Sequence, residues 1–141
     1  MVGSKQSSSV QKFVNLICRL DLNSIQIILP DTINYQDLPK DRFFELLQGA
    51  FNEFKKNGDT KLVPHEGCCG ECKKGCAGIS FIGNNSQNYL DIIFETENDE
   101  ITELSECSQF IMSDKTIKKN NRIYIDNGSD FRNFLDEYLK R

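Results

Sequence analysis

Along residues 10–20 apolar side chains recur at Val10, Phe13, Val14, Ile17 and Leu20, the three-and-four spacing of one helical face. The serines of "SSSV" ahead of them supply capping hydroxyls. Cys18 falls inside this segment, where a thiol serves as a small buried apolar group. "LNSIQIILP" continues as a second, shorter helix that Pro30 ends, because the residue before a proline is driven toward extended backbone. "DTINYQDLP" reads as a short extended piece closing in a turn. The strongest helical pattern follows in "KDRFFELLQGAFNEFKKNG": Phe43, Leu47, Ala50, Phe51 and Phe54 form one stripe, and Asn57-Gly58 provides the stop. An aromatic stripe of this kind is core, not a cofactor box.

Past Gly58 the period changes from 3.6 to 2. "TKLVP" is a strand leading into a cysteine-rich stretch. "AGISFIG" and "QNYLDIIFETE" are strands joined across "NNS", and "NDE" turns the chain into "ITELSECSQFIM". In the second of these, Leu90, Ile92 and Phe94 share a face with Thr96, while Asp91, Glu95 and Glu97 share the other, so one side is buried and one wet. "NNRIYID" is a last strand, and "SDFRNFLDEYLKR" closes as an amphipathic helix with Phe131, Phe134, Leu135 and Tyr138 inward. Helices first and short-linked strands afterwards predict an α+β fold, N-terminal helices against an antiparallel sheet. The length of 141 residues suits one domain, with residues 1–7 flexible and no repeat or linker.

A net charge of −4 without a basic face argues against a nucleic-acid partner. The one basic cluster, "KTIKKNNR", is short and reads as a solvated loop. No uninterrupted apolar segment is long enough for a signal peptide or a membrane span. The chain therefore reads as cytoplasmic, with its thiols reduced and more apt to be ligands or reactive groups than disulfides. The sequons at Asn84 and Asn127 are then turn chemistry only.

The chemistry of the chain is concentrated in "PHEGCCGECKKGCAG", residues 64–78, which holds the only histidine and four of the six cysteines. His65, Cys69, Cys72 and Cys76 give H-x3-C-x2-C-x3-C with Cys68 as a spare, a ligand set suited to tetrahedral zinc. A helix would align the four, but Gly67, Gly70 and Gly75 would each cost it about 1 kcal/mol. Pro64 and the glycines suit a tight loop folded around the ion, and Lys73 and Lys74 favour the thiolates. Two other uses of the same atoms stand beside this one. A disulfide from Cys68 to Cys72 or Cys76 needs oxidising surroundings, the vicinal Cys68–Cys69 bridge being strained. A redox switch at Cys69 and Cys72, with Cys68 or Cys76 resolving, is opposed by Glu71 and by the lack of a following helix. Cys107 is expected opposite about residue 90, on the order of 10 Å along the sheet from Cys76, as a half-buried strand cysteine.

The order of helix, "LDLNSIQIILPDTINY", "LPKDRFFELLQGAFNEF" and strands ending "YLDIIFETENDEITELSECSQF" resembles the nuclear transport factor two-like, or cystatin-like, cone proteins over residues 8–112. These include the SnoaL-like polyketide cyclases and the ketosteroid isomerases. The resemblance implies a strongly bent sheet wrapped around helices, a pocket for a small apolar ligand at the open end, and homodimers. It also implies a lyase or isomerase alternative in which Asp37 is a general base and Tyr35 a hydrogen-bond donor. Read from its own neighbours, Asp37 is a turn or capping residue ahead of Pro39.

Overall fold

The computed structural model describes residues 8–70, 77–107 and 110–125, the side chains of Ser8 and Cys69 excepted. Its helices are α1 (Ser8–Cys18), α2 (Leu22–Ile28) and α3 (Lys40–Lys56). The stripe read along α3 is the middle of the core: Phe43, Leu47, Phe51 and Phe54 are fully buried. Each such side chain contributes about 1.5–3 kcal/mol by leaving water. Phe13 of α1 packs edge-on against Phe94, and Phe43 and Phe44 pack against Tyr35. Asp21 caps α2 by accepting from the Ser24 amide and hydroxyl. Gly58, at φ +88°, ends α3 in the left-handed conformation that glycine adopts without strain.

The strands are β1 (Asn34–Tyr35), β2 (Leu62–Cys69), β3 (Ala77–Gly83), β4 (Tyr89–Glu97), β5 (Glu100–Glu106) and β6 (Phe110–Met112), in the sheet order β1-β5-β4-β3-β2-β6. The class is α+β as expected, but the sheet is mixed, because β1 runs parallel to β5. The segment read as one piece, "ITELSECSQFIM", is divided: β5 stays beside β4, and β6 leaves to pair with β2. The expected last strand is reduced, among the described residues, to a parallel bridge between Tyr89 and Arg122. It has a physical place. β5 ends level with Ile92, so the start of β4 is open on that side, and residues 121–123 fill it through Tyr89 N–H to Asn121 O (3.0 Å) and Ile123 N–H to Tyr89 O (2.7 Å). The expected C-terminal helix and the N-terminal residues 1–7 lie outside the described residues.

Two expectations about faces need correction. β2 continues to Cys69, so residues 64–69 form a strand and not a tight loop. Pro64 is tolerated there because it shares its orientation with Glu66, whose carbonyl faces the β6 side and accepts from Ser113; β6 itself pairs only with residues 67–69. The second correction concerns the wet face of β4. Asp91 is buried on it, with Lys119 beside its carboxylate and Phe110 close to that lysine. Among the described residues no helix is long and apolar enough to cross a membrane.

Candidate functional site

β2 and β3 pair without a register shift from Leu62–Gly83 to Cys68–Ala77. The hairpin thus closes at the cysteines. Gly67 and Gly78 stand opposite each other in that register. A Cβ on Gly78 would come within 2.7 Å of the Ile92 carbonyl and 2.8 Å of the Phe110 ring, and one on Gly67 would also meet that ring. These glycines leave room for Phe110 and do not serve as flexible loop residues.

The strand separates the expected ligands. His65 faces Ser80, three residues before Cys68, and so stands about 10 Å back along β2 from the mouth of the hairpin. Cys68 is exposed, and Cys69 ends β2 opposite Phe110 of β6. Cys72 and Cys76 lie outside the described residues. Among the described residues no group of three metal-binding side chains converges. His65 instead neighbours Asp114, whose carboxyl is held below its ordinary range by the Thr116 hydroxyl and amide, with a smaller pull from His65. Burial pushes the Cys18 thiol up to about 11, as suits an inert packing group. Cys107 is buried, its amide bonded to the Asp91 carbonyl, one residue from the expected register.

Asp37 is exposed on the turn after β1, at φ +64°, exchanging hydrogen bonds with Asn34 through its amide (2.8 Å) and its carboxylate (3.2 Å). That is the turn role read from its neighbours. A general base must stand within hydrogen-bond reach of a substrate held in a pocket, and this turn is open to solvent. Tyr35 is buried, and its hydroxyl donates to the Pro30 carbonyl at 2.7 Å. Burial, with the nearby Asp31 charge, raises it to about 12. Its proton holds the loop and is not offered to a pocket.

A polar cluster that the strand alternation concealed lies on the outer face of β3 and β4. Ser80 and Asp91 stand opposite each other, 0% and 4% exposed. The "KTIKKNNR" segment, expected to be a solvated loop, turns inward here. Lys119 Nζ lies 3.6 Å from Asp91 Oδ2, 4.1 Å from the Tyr89 ring centre and 5.6 Å from that of Phe110. Arg122 reaches Glu106 at 3.5 Å and lies over the Tyr124 ring. Glu106 in turn accepts from the Ile125 amide (2.7 Å), and Gln36 bridges Glu106 and Ile125. Asp91 Oδ1, Ser80 Oγ and Arg122 Nε are buried without a hydrogen-bond partner. Desolvation by burial raises the Asp91 pKa, and the Ser80 hydroxyl, Lys119 and Arg122 oppose it. Ser80 acts by proximity, since its oxygen completes no hydrogen bond of normal geometry.

The sign for stability follows directly. A carboxyl whose pKa is higher folded than unfolded binds its proton more tightly in the folded state. Its contribution is complete below the ordinary aspartate value of about 3.9 and declines as pH rises through the raised one. Carboxyl-carbon NMR titration is expected to place Asp91 above that ordinary value. A midpoint at or below it would mean that the ion pair outweighs burial.

A cleft of about 510 Å3 opens between α3 and residues 121–124, and its lining is polar, with Glu45, Glu53, Asn88 and Arg122. A second hollow of about 340 Å3, by Leu29, Ile33 and Ile101, is more apolar at its base. Asp37 lines neither. Comparison of the chain with family models, with curated proteins and with solved structures finds no match.

Proposed function

We propose that the chain is a small α+β domain whose β2–β3 hairpin holds a structural Zn²⁺ through Cys68, Cys69, Cys72 and Cys76. The observation that carries this is the unbroken register up to Cys68–Ala77. It brings the two ends of an eight-residue cysteine-bearing turn side by side, so that four thiols start from one hairpin mouth. Tetrahedral thiolate coordination needs only short reaches from such a mouth. Lys73 and Lys74 assist by favouring the ionised thiols. His65 is left out of the ligand set, because the strand carries it away from the turn. The role of the metal is to stabilise the fold, with no part in chemistry elsewhere.

The finer expectation of a coiled, cone-like sheet draws support from chain length. Four steps of about 3.5 Å take the chain at most about 14 Å from Glu106 to Phe110. Four strand spacings separate β5 from β6 in the sheet order, about 19 Å were the sheet flat. A connection this short favours a curled sheet, in which β6 comes round to β2.

Native mass spectrometry with elemental analysis tests the metal. One zinc per chain is expected, lost in a Cys72→Ser/Cys76→Ser variant. A bare chain, or one lighter by two protons with no metal, would refute the site; the latter is the signature of the disulfide or thiol-exchange reading.

A further inference from the structure

We propose that Asp91, Ser80, Tyr89 and Phe110 form a binding site for a primary alkylammonium group, which Lys119 occupies as an internal ligand. The four residues share one side of the sheet. Tyr89 and Asp91 are two apart on β4, Ser80 faces Asp91 from β3, and Phe110 lies against Gly78, two residues from Ser80. A cation held between two aromatic rings and beside a carboxylate is the arrangement that recognises ammonium groups. The carboxylate is buried, so its attraction is screened less than that of a surface charge.

Lys119 fills the niche imperfectly. Its Nζ is 3.6 Å from Asp91 Oδ2, beyond the usual reach of an N–H···O hydrogen bond. Asp91 Oδ1 and Ser80 Oγ, both buried, have no partner. An ammonium carries three donors, and the niche offers three acceptor oxygens that this tethered one does not satisfy. The tether is the reason. Lys119 is followed at once by Asn120 and Asn121, which are fixed to β4 and its preceding turn through the Gln87 carbonyl, the Ser86 carbonyl and the Asn88 side chain. An amine on a free alkyl chain has no such restraint and can seat deeper. The segment carrying Lys119, residues 113–121, belongs to no helix or strand, and its side chains up to Lys118 are mostly exposed, so the lysine can leave without unfolding the sheet.

The probe is n-butylammonium chloride, titrated into the full-length chain and followed by NMR of the Tyr89 and Phe110 ring protons, with sodium chloride at equal ionic strength as reference. Saturable shifts are expected in Lys119→Ala, at an affinity at least about tenfold above wild type, where the tethered lysine competes at high effective concentration. Asp91→Asn in the Lys119→Ala background should abolish them. Should Lys119→Ala fail to fold, the wild-type Lys119 ε-carbon and ζ-nitrogen resonances serve, and they should move toward solvent-exposed values as the amine displaces them. Nα-acetyl-lysine methylamide separates the sources: binding of both compounds admits a peptide-borne lysine, and binding of butylammonium alone restricts the site to small free amines. Absence of saturable shifts beyond the salt reference, or equal binding in the Asp91→Asn double variant, would overturn the proposal.

Discussion

Stripping the proposed zinc from the β2–β3 hairpin is expected to lower the thermal midpoint of the chain by roughly 10–20 °C. A metal present at a thousand times its dissociation constant contributes about 4 kcal/mol by mass action. Each kcal/mol moves the midpoint of a domain this size by about 3–5 °C. The loss should be local before it is global. Cys69 pairs with Phe110 and Gly67 with Met112, so loosening the turn frees β6 as well. Amide exchange at residues 67–69 and 110–112 is expected to quicken on chelation, while the amides of α3, under fully buried phenylalanines, keep their protection. Readdition of zinc should restore both midpoint and protection. Cys18→Ala is the contrasting variant, because that thiol packs against the hydrophobic core and is not among the proposed ligands. An unchanged midpoint in the demetallated chain, or quickened exchange confined to residues outside the hairpin and β6, would dismiss the metal as a structural element.

The helices were legible because their cause is local. The stripe from Phe43 to Phe54 repeats at helical period and is buried as that period dictates. Strands β3 and β4 were equally legible, being short apolar-rich runs bounded by turn residues. What the sequence hid has a non-local origin in each case. Gly67 and Gly78 look like loop residues until the register sets them opposite each other with the Phe110 ring against them. That pairing depends on residues more than thirty positions away in the chain. With it goes the tight loop, and with the tight loop the place of His65 among the thiols. Asp91 was assigned to the wet face because alternation tells which residues share a side, not whether another segment covers it. Lys119, read as solvated, lies over that side beside the Asp91 carboxylate. A carboxylate flanked by the apolar Leu90 and Ile92, matched with a late basic run, was the only sign, and it is weak alone. Asp37 went the other way: its own neighbours named the turn role correctly, while the resemblance suggested a base.

The Asp59→Ala variant is expected to lose about 2–4 kcal/mol, a fall of roughly 10 °C, through unpaired donors and not through lost apolar contact. Asp59 is 3% exposed and sits just past α3, where its Oδ1 accepts from the Asn85 (2.7 Å) and Ser86 (2.8 Å) amides and its Oδ2 from the Ser86 hydroxyl (2.6 Å). It therefore ties the end of the central helix to the β3–β4 turn, which the Asn85 side chain reinforces by donating to the Asn57 carbonyl. Asp59→Asn keeps one acceptor for both amides and should lose only about 1 kcal/mol, the Ser86 hydroxyl rotating to accept. Equal losses in the two variants would mean that charge, and not the geometry of acceptance, holds the turn. Gly83 provides the coupling test. A Cβ there would run into the Asp59 carboxylate, so Gly83→Ala is destabilising in the wild type, yet it should cost less once residue 59 is alanine and the space is empty. Denaturant unfolding of the four chains, with slopes unchanged, measures that coupling. Strict additivity would show that the carboxylate and the glycine do not act as one joint between helix and sheet.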